Sequence, residues 1–179
     1  MLRNCNSARS GLSASGHNAR VTLIVWQKPP VGFIKINTDV AIFKEARKTG
    51  TGFVVRNSNG DCLAAGSNVF LGILDPSTAE AMRIREALSW VKKQKLHSVI
   101  IESDSQLVIQ SLLSNSRNLS EVNFIVNDCL FFCHSINDVY FGYCKRSANC
   151  AVHIFAINVS SIIGLTAYIA SALAADNCS

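Results

Sequence analysis

The chain has 179 residues, 49% of them hydrophobic, which suits one domain with short extensions and a proper core, so a second domain is not needed. A formal net charge of +5 is compatible with a polyanionic partner but excludes the dense basic blocks that bind nucleic acid by charge alone. Seven scattered cysteines, an odd number with no secretory signal ahead of them, argue against a disulfide framework and for a reduced intracellular protein.

Residues 1–25 carry Arg3, Arg9, Arg20 and several serines, and no acid occurs before Asp39, a composition similar to a mitochondrial transit peptide. Asn4, Asn6, Gly11, Gly16 and Asn18 would interrupt a long amphipathic helix there, which favours a disordered extension. The domain is expected over 26–160. Trp26-Gln-Lys-Pro-Pro-Val-Gly32 reads as an extended lead-in, because two prolines and a glycine prevent regular structure. From Phe33 to Asp39 the chain alternates as a strand, with Ile34 and Ile36 on one face and Lys35, Asn37 and Asp39 on the other, and Asp39 is expected to end it. Gly50 to Arg56 is a second strand, Asn57-Ser-Asn-Gly60 a turn, and Asp61 to Val69 a third strand, which together predict an antiparallel meander.

Asp75-Pro76 is a helix start, since Asp caps free amides and Pro suits the first turn. The helix is expected to reach Lys93, with Glu80 in line with Ile84, Ala87, Leu88 and Val91, a carboxylate on an apolar stripe. Ser98 to Glu102 holds a short β-branched run that reads as a buried strand, and Asp104 follows at its carboxyl end. Next come a helix with Leu107, Val108, Leu112 and Leu113, a loop at Ser116 to Asn118, and an apolar helix from Val122 to Phe132 with Phe124, Ile125 and Leu130. Val139, Phe141 and Tyr143 alternate in a last strand, and a closing helix is expected from Ala148 to Ser160, followed by a tail over 161–179. Val152 to Ala175 is apolar, but His153, Asn158, Ser160, Ser161, Gly164 and Thr166 interrupt it, so a buried helix with a docked tail is expected and no membrane span. Cys129, Cys133 and His134, with Cys144, Cys150 and His153, do not match zinc-knuckle spacing and read as buried apolar cysteines. The element order predicts an α/β fold with a mixed five-stranded sheet, three antiparallel strands plus parallel crossovers, flanked by helices.

Three carboxylates fall where chemistry is easily built: Asp39 at a strand end, Glu80 on an inward helix face and Asp104 at the end of another strand. Each alone has a plain structural reading, as a turn residue, a first-turn acid and a helix cap respectively. Jointly they point to a cation, because the topology lays the first and fourth strands side by side with the Glu80 helix across them, and clustered carboxylates repel. Mg²⁺ is the expected ion, an oxygen-seeking cation that shares its shell with phosphate, with Mn²⁺ as an alternative.

Lys35-Ile-Asn-Thr-Asp39, Gly50 through Gly60, Ala79-Glu80-Ala81, Glu102-Ser-Asp104-Ser105 and Arg146 through His153 resemble the successive blocks of plant ribonuclease H-like domains, which are related to the ribonuclease H region of non-LTR retrotransposons. The resemblance runs from Trp26 to Ser160. It implies a ribonuclease H-like fold and a metal-dependent endonuclease that cuts the RNA strand of RNA–DNA hybrids by a two-metal mechanism. Asp39, Glu80 and Asp104 would be the ligands. Lys145, Arg146 and Asn149 are expected at the nucleic acid, and shape and 2′-hydroxyls rather than base sequence would select it. Hybrid or RNA is the expected partner of a monomer in the nucleus or cytoplasm, with the mitochondrion as the alternative that the first residues suggest.

This sequence departs from the family pattern at two places. His153 stands where active bacterial and cellular ribonucleases H have a fourth acid, a substitution that resembles many plant members; it weakens a second metal position but leaves a ligand for Mn²⁺ or a proton shuttle. Lys145-Arg146-Ser147 lacks the histidine that assists product release in related enzymes. A catalytically weak or inactive nucleic-acid-binding module derived from a retroelement is therefore the second expectation. A 3′–5′ exonuclease is disfavoured because Asn37-Thr-Asp39-Val-Ala41 has no Asp-x-Glu pair.

Overall fold

The computed structural model describes residues 26–114 and 120–158; the extension at 1–25, the loop at Ser116 to Asn118 and the tail at 161–179 lie outside the described residues. In chain order the elements are β1 (Ile34–Phe43), β2 (Lys48–Arg56), β3 (Cys62–Leu71), α1 (Pro76–Lys93), β4 (Ser98–Ser103), α2 (Gln106–Ser114), α3 (Glu121–Cys133), β5 (Asp138–Tyr143), a 3₁₀ turn (Arg146–Ala148) and α4 (Cys150–Asn158). They build one five-stranded sheet in the order β3-β2-β1-β4-β5. The meander β1-β2-β3 is antiparallel, and β1, β4 and β5 run parallel, as the sequence pattern predicts.

Local chemistry accounts for the joints. Asn57 accepts at Oδ1 from the amides of Asn59 and Asp61, and Gly60 takes φ +93°, where a side chain would be strained. Asp75 caps α1 by accepting from the Thr78 amide at 2.9 Å. The large core lies between one sheet face and α1, α2 and α3: Ile36, Val55, Val99 and Ile101 meet Ile84, Leu88 and Val91 of α1, with Val108 and Val126 behind. Sheet parity puts neighbouring residues on the other face, where Val54 packs on Val152 of α4.

Several sequence expectations move. β1 does not stop at Asp39 but runs four residues on to Phe43, because its pairing with β2 continues after β4 has ended at Ser103. Lys35, Asn37 and Asp39 are all buried, since that face is covered by α4 and by the lead-in segment around Trp26. Of the apolar residues read on these two helices, Leu107, Leu113 and Phe124 are exposed, and the inward faces are held by Val108, Leu112 and Val126. No described helix is long and apolar enough to cross a membrane.

At Gly50 the backbone of α4 comes close against β2. A Cβ there would overlap the Ala156 carbonyl oxygen, so only glycine lets the helix settle onto β2. Gly50→Ala should cost about 1–3 kcal/mol, because the clash is with backbone and cannot be relieved by a rotamer change. Urea denaturation checks this, and an unchanged midpoint would contradict the packing described.

Candidate metal centre

The site forms where β4 gives out. Thr38 still pairs with Ser103, but Asp39 has no β4 neighbour, and the crevice opens there, at the carboxyl end of β4 and beside the stretch of β1 that β4 no longer covers. Asp39 is completely buried. Asp104 is the first residue beyond β4, its side chain 9% exposed, and Glu80 reaches the same crevice from the first half of α1. Ligand oxygens of Asp39, Glu80 and Asp104 all lie within 4.8 Å of one another. Among the described residues this is the one group of three or more His, Cys, Asp or Glu side chains close enough to share an ion, so the cysteines and histidines form no zinc set there.

Each carboxylate is held. Asp39 Oδ1 accepts from the Val40 amide at 2.8 Å, and its Oδ2 lies 2.6 Å from His153 Nδ1. Ser103 donates its hydroxyl to Glu80 at 3.2 Å, and Arg146 Nε donates to Asp104 Oδ2 at 2.9 Å. His153 therefore sits against Asp39, not as a free fourth corner. Lys145 and Arg146 are exposed at the rim. Asn149, expected at the nucleic acid, is placed elsewhere: it is 2% exposed and its amide donates to the Thr38 carbonyl at 2.8 Å. That bond ties the start of α4 to β1 beside Asp39, a fixing task for a buried amide.

Ser103 and a polar layer beneath the acids escaped sequence reasoning. Lys35 Nζ lies 2.6 Å from Glu102 Oε1, Asn37 donates to Glu102 Oε2 at 3.0 Å, and Trp26 Nε1 donates to Asn37 at 2.9 Å. The guanidinium of Arg56 stacks 4.4 Å from the same indole. The layer couples β1 to β4 two residues before Asp39 and Asp104. The alternation of Lys35, Asn37 and Asp39 was its only sequence signal.

Electrostatics fit an ion. Burial, and then the neighbouring Asp104, push the Asp39 carboxyl up to about 6, against the opposing pull of His153 and the Val40 amide. Burial followed by Asp39 and Asp104 raises Glu80 well above the ordinary carboxylate range. Three hard oxygen donors with more negative charge than their surroundings neutralise suit Mg²⁺ or Mn²⁺. A raised acid favours the folded state below its unfolded value of 3.8 and loses that advantage as pH rises through 6. Without metal, the stability of the protein relative to Asp39→Asn should therefore fall between pH 4 and pH 7, by on the order of 2 kcal/mol. Millimolar Mg²⁺ should flatten that slope, and chemical denaturation across the range tests it; a pH-independent difference would refute the crowding.

Fold and site together define a ribonuclease H-like α/β domain with an acidic crevice. The chain belongs to the Reverse transcriptase-like family, whose sequence profile matches residues 37–159. It is 26% identical over 127 residues to a provisional ribonuclease H protein of Arabidopsis thaliana, a match covering 71% of this chain and 20% of that protein, so the chain spans about one fifth of its relative's length. Ribonuclease H1 from the halophilic archaeon Halobacterium salinarum has a similar fold, with TM-score 0.66 and 17% identity, covering 73% of this chain and 99% of that one. LC11 ribonuclease H1, isolated from compost and solved in complex with an RNA/DNA hybrid, gives TM-score 0.56 and 19% identity, covering 67% of this chain and 91% of that one.

Proposed function

We propose that this chain is a metal-dependent endonuclease that hydrolyses the RNA strand of RNA–DNA hybrids, acting through its 26–160 domain. The observation that carries the reading is the trio of carboxylates within 4.8 Å at the point where the parallel pairing of β1 and β4 ends in a ribonuclease H-like fold. The hybrid bound by LC11 ribonuclease H1 supports the substrate class.

Asp39, Glu80 and Asp104 would hold Mg²⁺, or Mn²⁺, as a pair of ions. Bound there, the ions supply a more acidic water and charge stabilisation at the departing oxygen. In the overall reaction the water oxygen bonds to phosphorus, the bond to the 3′-oxygen breaks, and that oxygen takes up a proton, leaving a 5′-phosphate and a 3′-hydroxyl. His153 fixes the orientation of Asp39 through the 2.6 Å contact and can hold a proton at the crevice edge. Lys145 and Arg146 meet the phosphate backbone at the rim. The free cysteines fit a reducing compartment.

The test is incubation of end-labelled hybrid, duplex RNA and duplex DNA with the purified chain in Mg²⁺, Mn²⁺ or EDTA. Cleavage confined to the RNA strand of the hybrid and dependent on metal is expected; intact hybrid under every condition would overturn the enzyme reading. One observation favours the second reading, a hybrid-binding module with little turnover: an imidazole contacts Asp39 and a guanidinium contacts Asp104, so two of the three acids already have cationic or proton-donating partners. Binding without cleavage in the same assay would select it.

A further inference from the structure

We propose that Arg146 is an exchangeable internal counter-ion: it holds Asp104 when the site lacks metal, and is displaced by the ion to clasp a phosphate of the nucleic acid. The proposal rests on the metal-site reading above and adds an order of events to it.

The argument starts from the asymmetry of the pair. The Asp104 side chain is 9% exposed, whereas that of Arg146 is 66% exposed, so the guanidinium lies over the mouth of the crevice and not within it. Only Nε donates to the carboxylate. Among the described residues the side chain has no other hydrogen-bond partner, which leaves the terminal fork facing outward, the part of arginine that fits phosphate oxygens two at a time. Arg146 stands on a 3₁₀ turn whose end is fastened by the buried Asn149 to Thr38, so the backbone stays in place while the long side chain moves.

Competition follows from chemistry. A carboxylate keeps lone pairs for an ion while it accepts from Nε, so the competition is one of charge: a divalent ion set against Asp104 repels the guanidinium held beside the same oxygen. The guanidinium half of the pair is in solvent, where it recovers its hydration on release, so the exchange costs on the order of 1 kcal/mol, or roughly three- to tenfold in ion affinity. A divalent ion bound among three carboxylates displaces the single positive charge, and the nearest new anion in a complex would be a phosphate brought to the same mouth. Ion and substrate are then coupled through one side chain, and coupling of this kind is reciprocal.

Two measurements on the full chain test it, with circular dichroism confirming that the variants fold. In Mn²⁺ titrations by calorimetry, Arg146→Ala should bind the ion roughly three- to tenfold more tightly than wild type, because its competitor has gone. In EDTA, hybrid binding followed by fluorescence anisotropy should show Arg146→Ala costing little in the wild-type background and at least about threefold more in the Asp104→Asn background, where the guanidinium is already free. Unchanged or weaker Mn²⁺ binding by Arg146→Ala, or an equal cost in the two backgrounds, would overturn the exchange. If wild type and Asp39→Asn bind Mn²⁺ identically, the metal-site reading itself fails and the proposal falls with it. If only the Arg146 variants disappoint, the metal site stands and the exchange alone is wrong.

Discussion

Asp39→Asn should abolish metal-dependent cleavage and at the same time make the metal-free protein more stable. The loss in rate is expected to be at least about 10³-fold, because removing a ligand that two neighbouring acids need in order to share an ion forfeits several kcal/mol of charge stabilisation. The gain in stability comes from the same carboxylate. Asp39 is completely buried, crowded by Asp104, and pushed up to about 6, so at neutral pH its ionisation opposes folding. Asparagine keeps an oxygen for the Val40 amide and removes the charge. Cleavage of labelled hybrid and thermal unfolding in EDTA at pH 7.5 give the two readouts. A variant that loses activity and also melts earlier would mean that Asp39 serves the fold first, contrary to a site kept at the expense of stability.

The second large effect belongs to the layer under the acids. Glu102→Ala should cost about 3 kcal/mol, the lower end of the range for breaking a buried ion pair because Glu102 keeps 18% exposure. Lys35, 6% exposed, would be left with the Gln27 carbonyl and the Trp26 ring but no counter-charge, and Asn37 would lose its acceptor. Since Glu102 lies two residues before Asp104 and Asn37 two before Asp39, the strain reaches both ligands. Mn²⁺ affinity should drop by roughly 10- to 100-fold, as for other partners that orient metal ligands. Urea unfolding and calorimetry measure these. The double replacement Lys35→Met with Glu102→Leu should recover most of the stability, since an apolar pair of similar volume carries no desolvation cost. Failure of the double variant to improve on Glu102→Ala would show that the cost arises from packing and not from the orphaned charge.

The sequence revealed those features whose causes are local. Asn57 through Gly60 marks a turn by its own chemistry, Asp75-Pro76 marks a helix start, and Val99-Ile100-Ile101 marks a buried strand. Glu80 and Asp104 were legible from their places on α1 and after β4, whereas Asp39, read as a strand end, lies inside β1. What escaped depends on which layer covers which face. Lys35 and Asn37 look like solvent-facing residues until Trp26 closes over them, and Asn149 looks like a surface polar residue until its amide is seen on the Thr38 carbonyl. The length of β1 was misjudged for a related reason: its last four residues are set by β2 alone, and a partner strand leaves no mark in the strand it supports. Leu107 and Phe124 show the converse, apolar side chains that point outward because their neighbours Val108 and Val126 already hold the inward places.

The contact between Asp39 and His153 joins residues 114 positions apart in the chain. The carboxylates themselves come from β1, α1 and the residue after β4, and the parallel pairing of β1 with β4 must close over the rest of the meander and a helix before Asp39 and Asp104 meet. Such non-local closure carries a loop-entropy cost that its contacts must offset. An ion therefore has no preformed cradle in the unfolded chain and cannot seed the fold. On the metal-site proposal, ion capture would report that the chain has reached its native topology.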